Sequence, residues 1–144
     1  MGYSANDPAA SPYASELERE LSAMRQTIDA EPQNAEVRFG YALKLEQYGK
    51  LDDAEREYLK VTEIRPGHAE AYVQYGDLLR KASRAGDAES QYRKAISVSP
   101  GSFRAHFSYA SLLEEQKRLE EAEEEYVSAV CGSPAMPDRN GKQR

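Results

Sequence analysis

The chain has 144 residues, of which 40% are hydrophobic and 31% charged, with a formal net charge of -6 at pH 7. This length suits one modest domain with its own core, and the acidic balance argues against a nucleic-acid binder, because phosphate binding depends on clustered Lys and Arg. No apolar run approaches the roughly 18 residues of a membrane helix, and the first residues lack the basic start and apolar stretch of a secretory signal. The single Cys131 cannot form an internal disulfide, which fits a reducing, cytoplasmic compartment.

The first predicted element is a helix near the amino terminus. Residues 1–10 are rich in small and polar types, and we expect a mobile tail there. A helix is predicted over residues 11–31, ending before Pro32, because four apolar residues recur at helical spacing. They are Leu17, Leu21, Met24 and Ile28. Because a repeat array needs covered ends, we expect this helix to cover the repeats that follow it.

A block of 34 residues follows and occurs three times, over residues 35–68, 69–102 and 103–134. Small, aromatic and aliphatic residues return at the same places in each block. The sets are Tyr41, Tyr75 and Tyr109; Ala42, Gly76 and Ala110; Leu45, Leu79 and Leu113; Ala54, Ala88 and Ala122; Tyr58, Tyr92 and Tyr126. A fixed period of this length is the signature of a stacked repeat array.

Each block is predicted to form two helices joined by a short turn, in the first block over residues 35–48 and 52–64. Gly49 suits the left-handed residue that ends a first helix, and Ser83 and Lys117 occupy the same place in the later blocks, with Gly86 able to relax the second turn. Side chains suited to capping precede the three first helices. These are Asn34, His68 and Ser102.

The third block ends with a helix predicted from residue 120 to Cys131, and a polar tail follows over residues 135–144. No further helix is predicted to cover this end, so Tyr126, Val127 and Val130 are candidates for self-association. Seven nearby glutamates oppose it, which predicts a weak homodimer favoured by salt. The alternative is that the tail folds back over the valines, with Met136 as an apolar plug.

The recurring small and aromatic positions resemble the tetratricopeptide repeat, over about 100 residues. The resemblance implies an all-α fold of the α-solenoid type, with about seven helices in antiparallel pairs that build a right-handed superhelix. It implies binding of another protein rather than catalysis. In the small positions of each pair, Ala42, Gly76 and Ala110 are expected to face the second-helix alanines at 54, 88 and 122.

In this family the first helices line a concave groove that receives an extended peptide or a helix. The resemblance places nine residues there: Phe39, Leu43, Val73, Gln74, Asp77, Arg104, Phe107, Ser108 and Ser111. Phe39, Val73 and Phe107 stand at the repeat interval and would form an apolar ladder. The alternative, that these three residues belong to the half-buried core, is equally consistent with the pattern.

Two familiar groove chemistries are not expected. Family members that grip the carboxylate tail of heat-shock chaperones use Lys, Asn and Arg, but the matching positions hold Phe39, Leu43, Gln74, Arg104 and Ser108. A lone Arg104 cannot supply the convergent donors that a carboxylate needs. The asparagine ladder of glycosyltransferase arrays is also missing, because Gly40, Gln74 and Ser108 occupy its places.

No catalytic or metal site is expected, and no cofactor. His68 stands in a turn, and His106 is placed in the interhelix core by its equivalence to Arg38 and Tyr72. With one distant cysteine, no metal-ligand spacing or oriented nucleophile exists. The acidic cluster reads as a solvated face or, alternatively, as a docking patch for a basic segment. Its members are Glu114, Glu115, Glu120, Glu121, Glu123, Glu124 and Glu125.

The sequence therefore predicts a non-catalytic scaffold or adaptor that binds a peptide or helix of another protein in its groove. The alternative is a structural repeat protein that oligomerises through its uncovered last repeat. Neither a nucleic acid nor membrane insertion is expected, and the pattern does not identify the partner.

Overall fold

The computed structural model describes residues 12–132, which form seven α-helices and no strand. The expected all-α helical repeat fold is confirmed. The chain divides into two compact units between Ile64 and Arg65. The two terminal tails expected from the sequence, and Met136 with them, lie outside the described residues.

The first unit contains α1 (Pro12–Ala30), α2 (Ala35–Gln47) and α3 (Leu51–Ile64). Helix α1 packs against α2, and α2 against α3. Leu21 and Ile28 of α1 are buried, as is Tyr58 of α3, so the periodic apolar residues of α1 do face the core. The turn between α2 and α3 is short, which makes the pair an antiparallel helical hairpin.

The second unit contains α4 (Ala69–Lys81), α5 (Ala85–Val98), α6 (Phe103–Glu115) and α7 (Leu119–Cys131). The pairs α4–α5 and α6–α7 make the most extensive contacts, and α6 also packs against both α5 and α4. The predicted helix ends at residues 48, 52 and 120 differ from the observed ones by one residue, since α2 ends at Gln47, α3 begins at Leu51 and α7 begins at Leu119.

Each first helix of a block begins at a capped position, as predicted. Asn34 Oδ1 accepts from the Val37 amide at 3.2 Å, His68 Nδ1 accepts from Ala71 N at 3.2 Å, and Ser102 Oγ accepts from Ala105 N at 3.2 Å. An amide that would lack an intrahelical partner is satisfied in all three cases. Three different side chains therefore perform one function at the same repeat position.

Each first helix ends in a left-handed residue, also at the predicted positions. Gly49 has φ +78°, Ser83 +62° and Lys117 +63°. The residue after each one donates back to a leucine carbonyl, as Arg118 N does to Leu113 O at 2.9 Å, which completes a Schellman-type end. Gly86 does not have a positive φ, so Ser83 is the residue that adopts the left-handed conformation in this turn.

The small residue on α4 makes room for an aromatic ring. A Cβ added to Gly76 would lie 2.6 Å from Cε1 of Tyr92, so the α4 backbone at Gly76 lies directly beside the Tyr92 ring. Tyr92 is fully buried. The absence of a Cβ therefore allows the ring of α5 to lie directly against the α4 backbone.

One repeat position ties the turn before each block to its first helix. Arg38 Nε donates to the Pro32 carbonyl at 2.9 Å, and Tyr72 Oη donates to the Pro66 carbonyl at 3.0 Å. At the equivalent place His106 Nε2 lies 2.6 Å from the Pro100 carbonyl, and its Nδ1 lies 2.7 Å from Glu125 Oε2 on α7. His106 is buried, as its equivalence to Arg38 and Tyr72 predicted.

Candidate functional site

The face formed by α4 and α6 in the second unit carries a network of charged and amide groups around Arg104. Its guanidinium pairs with Glu70 and donates from Nη2 to Asp77 Oδ2 at 3.3 Å. With the Gln74 amide turned so that its oxygen faces Arg104, that oxygen accepts at 3.0 Å and 2.7 Å from the two terminal nitrogens. The structure thus brings Gln74, Asp77 and Arg104, three of the predicted groove residues, together.

Asp77 connects this network to the core. Tyr92 Oη donates to Asp77 Oδ1 at 2.5 Å, while the other carboxylate oxygen faces Arg104. Burial and the hydrogen bond to Asp77 raise the pKa of Tyr92 well above its usual range, so the phenol stays a donor. This hydrogen bond restricts the orientation of Asp77 and, through it, of the Arg104 side chain.

An exposed aromatic pair lies on the same helix as Arg104. The rings of Phe103 and Phe107 stack with centroids 5.6 Å apart, and they are 57% and 47% exposed. Phe107 also meets Tyr126 of α7 edge-on at 5.5 Å. Ser111 lies one turn further along α6 and is 3.4 Å from the Tyr126 hydroxyl. These side chains form a continuous aromatic surface from α6 to α7.

Two of the predicted groove residues are not available to a partner. Val73 is completely buried and Ser108 is almost so. Val73 lies on a helix packed against both α5 and α6, and its side chain belongs to that core. The expected apolar ladder therefore does not run through Val73, and within the second unit its exposed member is Phe107.

Phe39 and Leu43 lie on α2 in the first unit, where both are partly buried. The Phe39 ring packs 6.1 Å from the ring of Tyr58. Since Tyr58 is fully buried, Phe39 contributes one face to the core of its unit. Phe39 therefore belongs to the half-buried core, which was the alternative interpretation of Phe39, Val73 and Phe107.

A second surface lies on the outer side of α7, where residues of α6 and α7 line an open pocket of about 560 Å³. Tyr126, Val127 and Val130, the candidates for self-association, all line it. Val130 is 82% exposed. The pocket is largely apolar, and Glu114 and Glu123 stand in its lining.

Several of the glutamates near this pocket already have partners. Arg118 holds Glu121 at 2.5 Å, Glu125 faces His106, and Glu114 accepts from the Tyr126 hydroxyl at 2.9 Å. The acidic cluster is thus divided between structural pairs and solvent-facing groups. Across residues 12–132 the geometry shows no group of three or more potential metal ligands.

Three residues of these surfaces were missed by the sequence reasoning. Phe103 was treated only as the start of a block, although its spacing of four from Phe107 signals a shared helix face. Glu70 lies one helical turn before Gln74, and this spacing could have predicted that Glu70 lies beside Arg104. Leu119 was left outside the last helix, yet it begins α7 and lines the pocket. Within the described part of the chain, no helix is both long and apolar enough to cross a membrane.

Comparisons with known proteins agree on one architecture. A family model described as tetratricopeptide repeat matches residues 21–69 and 74–137. A search among curated proteins gave no significant match.

Solved structures similar to this chain include MamA from MSR-1, with a TM-score of 0.67 and 23% identity over 85% of this chain and 71% of that one. MamA from Desulfovibrio magneticus RS-1, from residue 41 to its end, has a TM-score of 0.70 and 22% identity over 83% and 68%. The first TPR of Spaghetti (RPAP3), bound to the HSP90 peptide SRMEEVD, has a TM-score of 0.66 and 21% identity over 72% and 82%. At these identities the likeness concerns the fold.

Proposed function

The chain belongs to the tetratricopeptide repeat family, whose members are generally non-catalytic and act in protein–protein interactions, and from this premise we propose that it is an interaction scaffold or adaptor. Its α4–α6 face binds a peptide or helix of another protein. We place this activity in the cytoplasm, since the one cysteine, Cys131, is exposed and free.

The observation that carries the proposal is the stacked pair of Phe103 and Phe107. Each ring leaves about half of its surface in water, although α6 packs against α4, α5 and α7. Contiguous exposed aromatics on a water-soluble surface mark interaction sites, because their burial in a complex is favourable. The ordered Arg104 network beside the pair offers polar contacts that fix orientation.

The ion pairs of Arg104 limit the kind of partner that this face can bind. Its charge is balanced by Glu70 and Asp77, so it is not free to act as the cation of a carboxylate clamp. The Spaghetti domain was solved with an HSP90 peptide, but this chain offers Gln74 and neutralised Arg104 at the matching face. We therefore propose a partner that buries an apolar anchor on Phe103 and Phe107 rather than a chaperone tail.

The test compares partners captured by the chain and by two variants. Phe107→Ala should lose at least one partner that the unaltered chain and Leu59→Ala both retain, because Leu59 is similarly exposed but lies on α3. That partner is then titrated against all three proteins, with the folded fraction of each measured by circular dichroism. Identical partner sets for all three, or binding that only follows the folded fraction, would contradict the proposal.

The alternative function is self-assembly, which the open pocket on α7 favours. A second copy could cover Tyr126, Val127 and Val130, which line that pocket. Association between copies depends on concentration. Light scattering at two concentrations distinguishes it from an adaptor that stays monomeric until a different protein binds.

A further inference from the structure

Helix α5 carries a surface equivalent to that of α7, and on α5 this surface is covered by another helix. Residues 34 apart are equivalent, so Glu89, Tyr92 and Ile96 of α5 correspond to Glu123, Tyr126 and Val130 of α7. Helix α6 packs on α5, and there Tyr92 is fully buried. The α5–α6 contact therefore serves as a template for what the α7 surface can receive.

In that template the covering segment brings a phenol and a cation to the same carboxylate. Glu89 Oε1 accepts from the Tyr109 hydroxyl at 2.8 Å, and Glu89 Oε2 accepts from Arg118 at 2.8 Å. Tyr109 lies on α6 and Arg118 follows that helix by three residues. A helix that covers an α5-like surface thus carries an apolar stripe and a cation near its carboxyl end.

On α7 the equivalent residues Glu123 and Val130 are exposed, and Tyr126 is partly buried. Val130 is 82% exposed, and Glu123 forms no ion pair with any residue that the structure describes. The surface is also more apolar than its template, because Val127 stands where α5 has Arg93. An apolar pocket beside an unneutralised carboxylate is complementary to an apolar side chain followed by a cation.

We propose that the outer face of α7 binds a basic amphipathic helix of another protein, whose apolar stripe covers Tyr126 and Val130 and whose Lys or Arg pairs with Glu123. Tyr126 borders both this surface and the Phe103–Phe107 pair. Phe103 and Phe107 do not line the pocket and Val130 does, so substitutions at Phe103 and at Val130 test the two proposals separately. The occupant takes the place that α6 and Arg118 take on α5.

A second copy of the chain is a poorer occupant. Two α7 faces brought together would oppose Glu114 and Glu123 of one copy to the same residues of the other, and like charges across an interface are costly. The outer side of α1 is polar, with Arg19, Ser22 and Gln26 in its shallow pocket. It offers a cation but no apolar stripe, because Leu21 and Ile28 are turned into the first unit.

The probe is a fluorescein-labelled peptide with the sequence of residues 103–118, in which Glu114→Gln and Glu115→Gln make it basic. A hydrocarbon staple between positions 107 and 111 holds it helical, since an isolated helix of this length is marginal. Those positions lie opposite Tyr109, because residues two apart point to opposite sides of a helix. Binding to the full chain is measured by fluorescence anisotropy.

We expect one peptide to bind each chain, and Val130→Lys to weaken binding at least tenfold. Val98→Lys is the matched control, because Val98 is an exposed valine on α5 outside the pocket, and it should bind as the unaltered chain does. Glu123→Arg should also weaken binding, and the peptide with Arg118→Glu should restore it, because the charges are then reversed as a pair. Phe103→Ala should leave peptide binding unchanged.

Three results would overturn the proposal. One is no binding, or binding that Val130→Lys and Val98→Lys affect equally. Another is binding that occurs only with Met136→Glu, which would show that the carboxyl-terminal tail occupies the pocket. The third is a dimer at pH 7 in moderate salt, seen by sedimentation velocity, that Val130→Lys dissociates, which would assign the surface to a second copy.

Discussion

At the scale of single residues, Glu89 shows how one side chain joins successive blocks. Its carboxylate accepts from Arg118, from the Tyr109 hydroxyl and from Arg93 within its own helix. The hydrogen bond from Arg118 lowers the pKa of Glu89 most, and Tyr109 lowers it further, against the opposing effect of burial. The lowered pKa means that the folded state favours the ionised carboxylate.

Glu89→Gln should therefore lower the free energy of unfolding at pH 7 by about 1 to 3 kcal/mol, because a partly buried, charge-assisted cluster loses its acceptor. The contribution is fully present above the unfolded-state pKa of about 4.3 and is lost as pH falls through the lower folded-state pKa. Urea titrations between pH 3 and 7 measure both effects.

The control for this substitution is Glu123→Gln, at the equivalent place on α7. Since Glu123 has no ion pair within residues 12–132, its change should stay within about 0.5 kcal/mol. Equal losses for the two variants would show that the cluster around Glu89 adds nothing to stability.

At the scale of the helix pair, the contact between α4 and α5 depends on Gly76. An alanine there favours the helix by about 1 kcal/mol, but its Cβ would lie 2.6 Å from the Tyr92 ring. The ring is buried and its hydroxyl is held by Asp77, so it cannot move aside without losing that bond.

We expect Gly76→Ala to lower the free energy of unfolding by about 1 to 3 kcal/mol, as overpacking does in cores. Gly86→Ala is the matched control on α5, because a Cβ there meets nothing within 4 Å, and it should be neutral or stabilising by up to about 1 kcal/mol. Thermal unfolding measures both. A Gly76→Ala protein as stable as the Gly86→Ala protein would show that the pair can open without cost.

For the turn between α6 and α7 we predict a substitution that raises the free energy of unfolding. Lys117 adopts φ +63°, a conformation that costs a non-glycine residue about 1 kcal/mol or more, and its side chain is exposed. Lys117→Gly should raise the free energy of unfolding by about 0.5 to 1 kcal/mol. Gln116→Gly, one residue earlier at φ -85°, should not stabilise, and denaturant titration of the pair gives the comparison.

At the scale of the whole molecule, the charge balance decides how copies meet. The net charge is -6 at pH 7, and the exposed apolar end at α7 lies among glutamates. Like-charge repulsion is screened by salt and disappears as the carboxylates are protonated. The apolar end can therefore associate with another copy only where this repulsion is removed.

We expect a monomer at pH 7 in moderate salt, and an apparent mass that rises with concentration in about 1 M salt, where the Debye length is about 3 Å, or near the isoelectric point of about 5.1. Sedimentation velocity over a concentration series measures this, and Val130→Lys should reduce the association. A dimer at pH 7 that does not respond to salt would contradict the role given to the glutamates.

The amino-acid sequence by itself determined the helices and their boundaries. The repeated blocks and their resemblance to the tetratricopeptide repeat predicted seven helices, and local chemistry placed the caps at Asn34, His68 and Ser102. It also placed left-handed residues at Ser83 and Lys117, because these features depend on hydrogen bonds and dihedral angles within a few residues. The place of His106 between the helices followed from its repeat position, since Arg38, Tyr72 and His106 all lie against the carbonyl of the preceding proline.

The tertiary structure alone decided which equivalent residues stay exposed and which charges pair. Val73 and Phe107 share a repeat position, yet one is buried and the other half exposed, because exposure depends on the neighbouring helices and not on the residue's own helix. Arg104 is likewise committed to Glu70 and Asp77 among 25 acidic residues. Such choices depend on distances between helices and on side-chain rotamers, and a repeat pattern specifies neither of them.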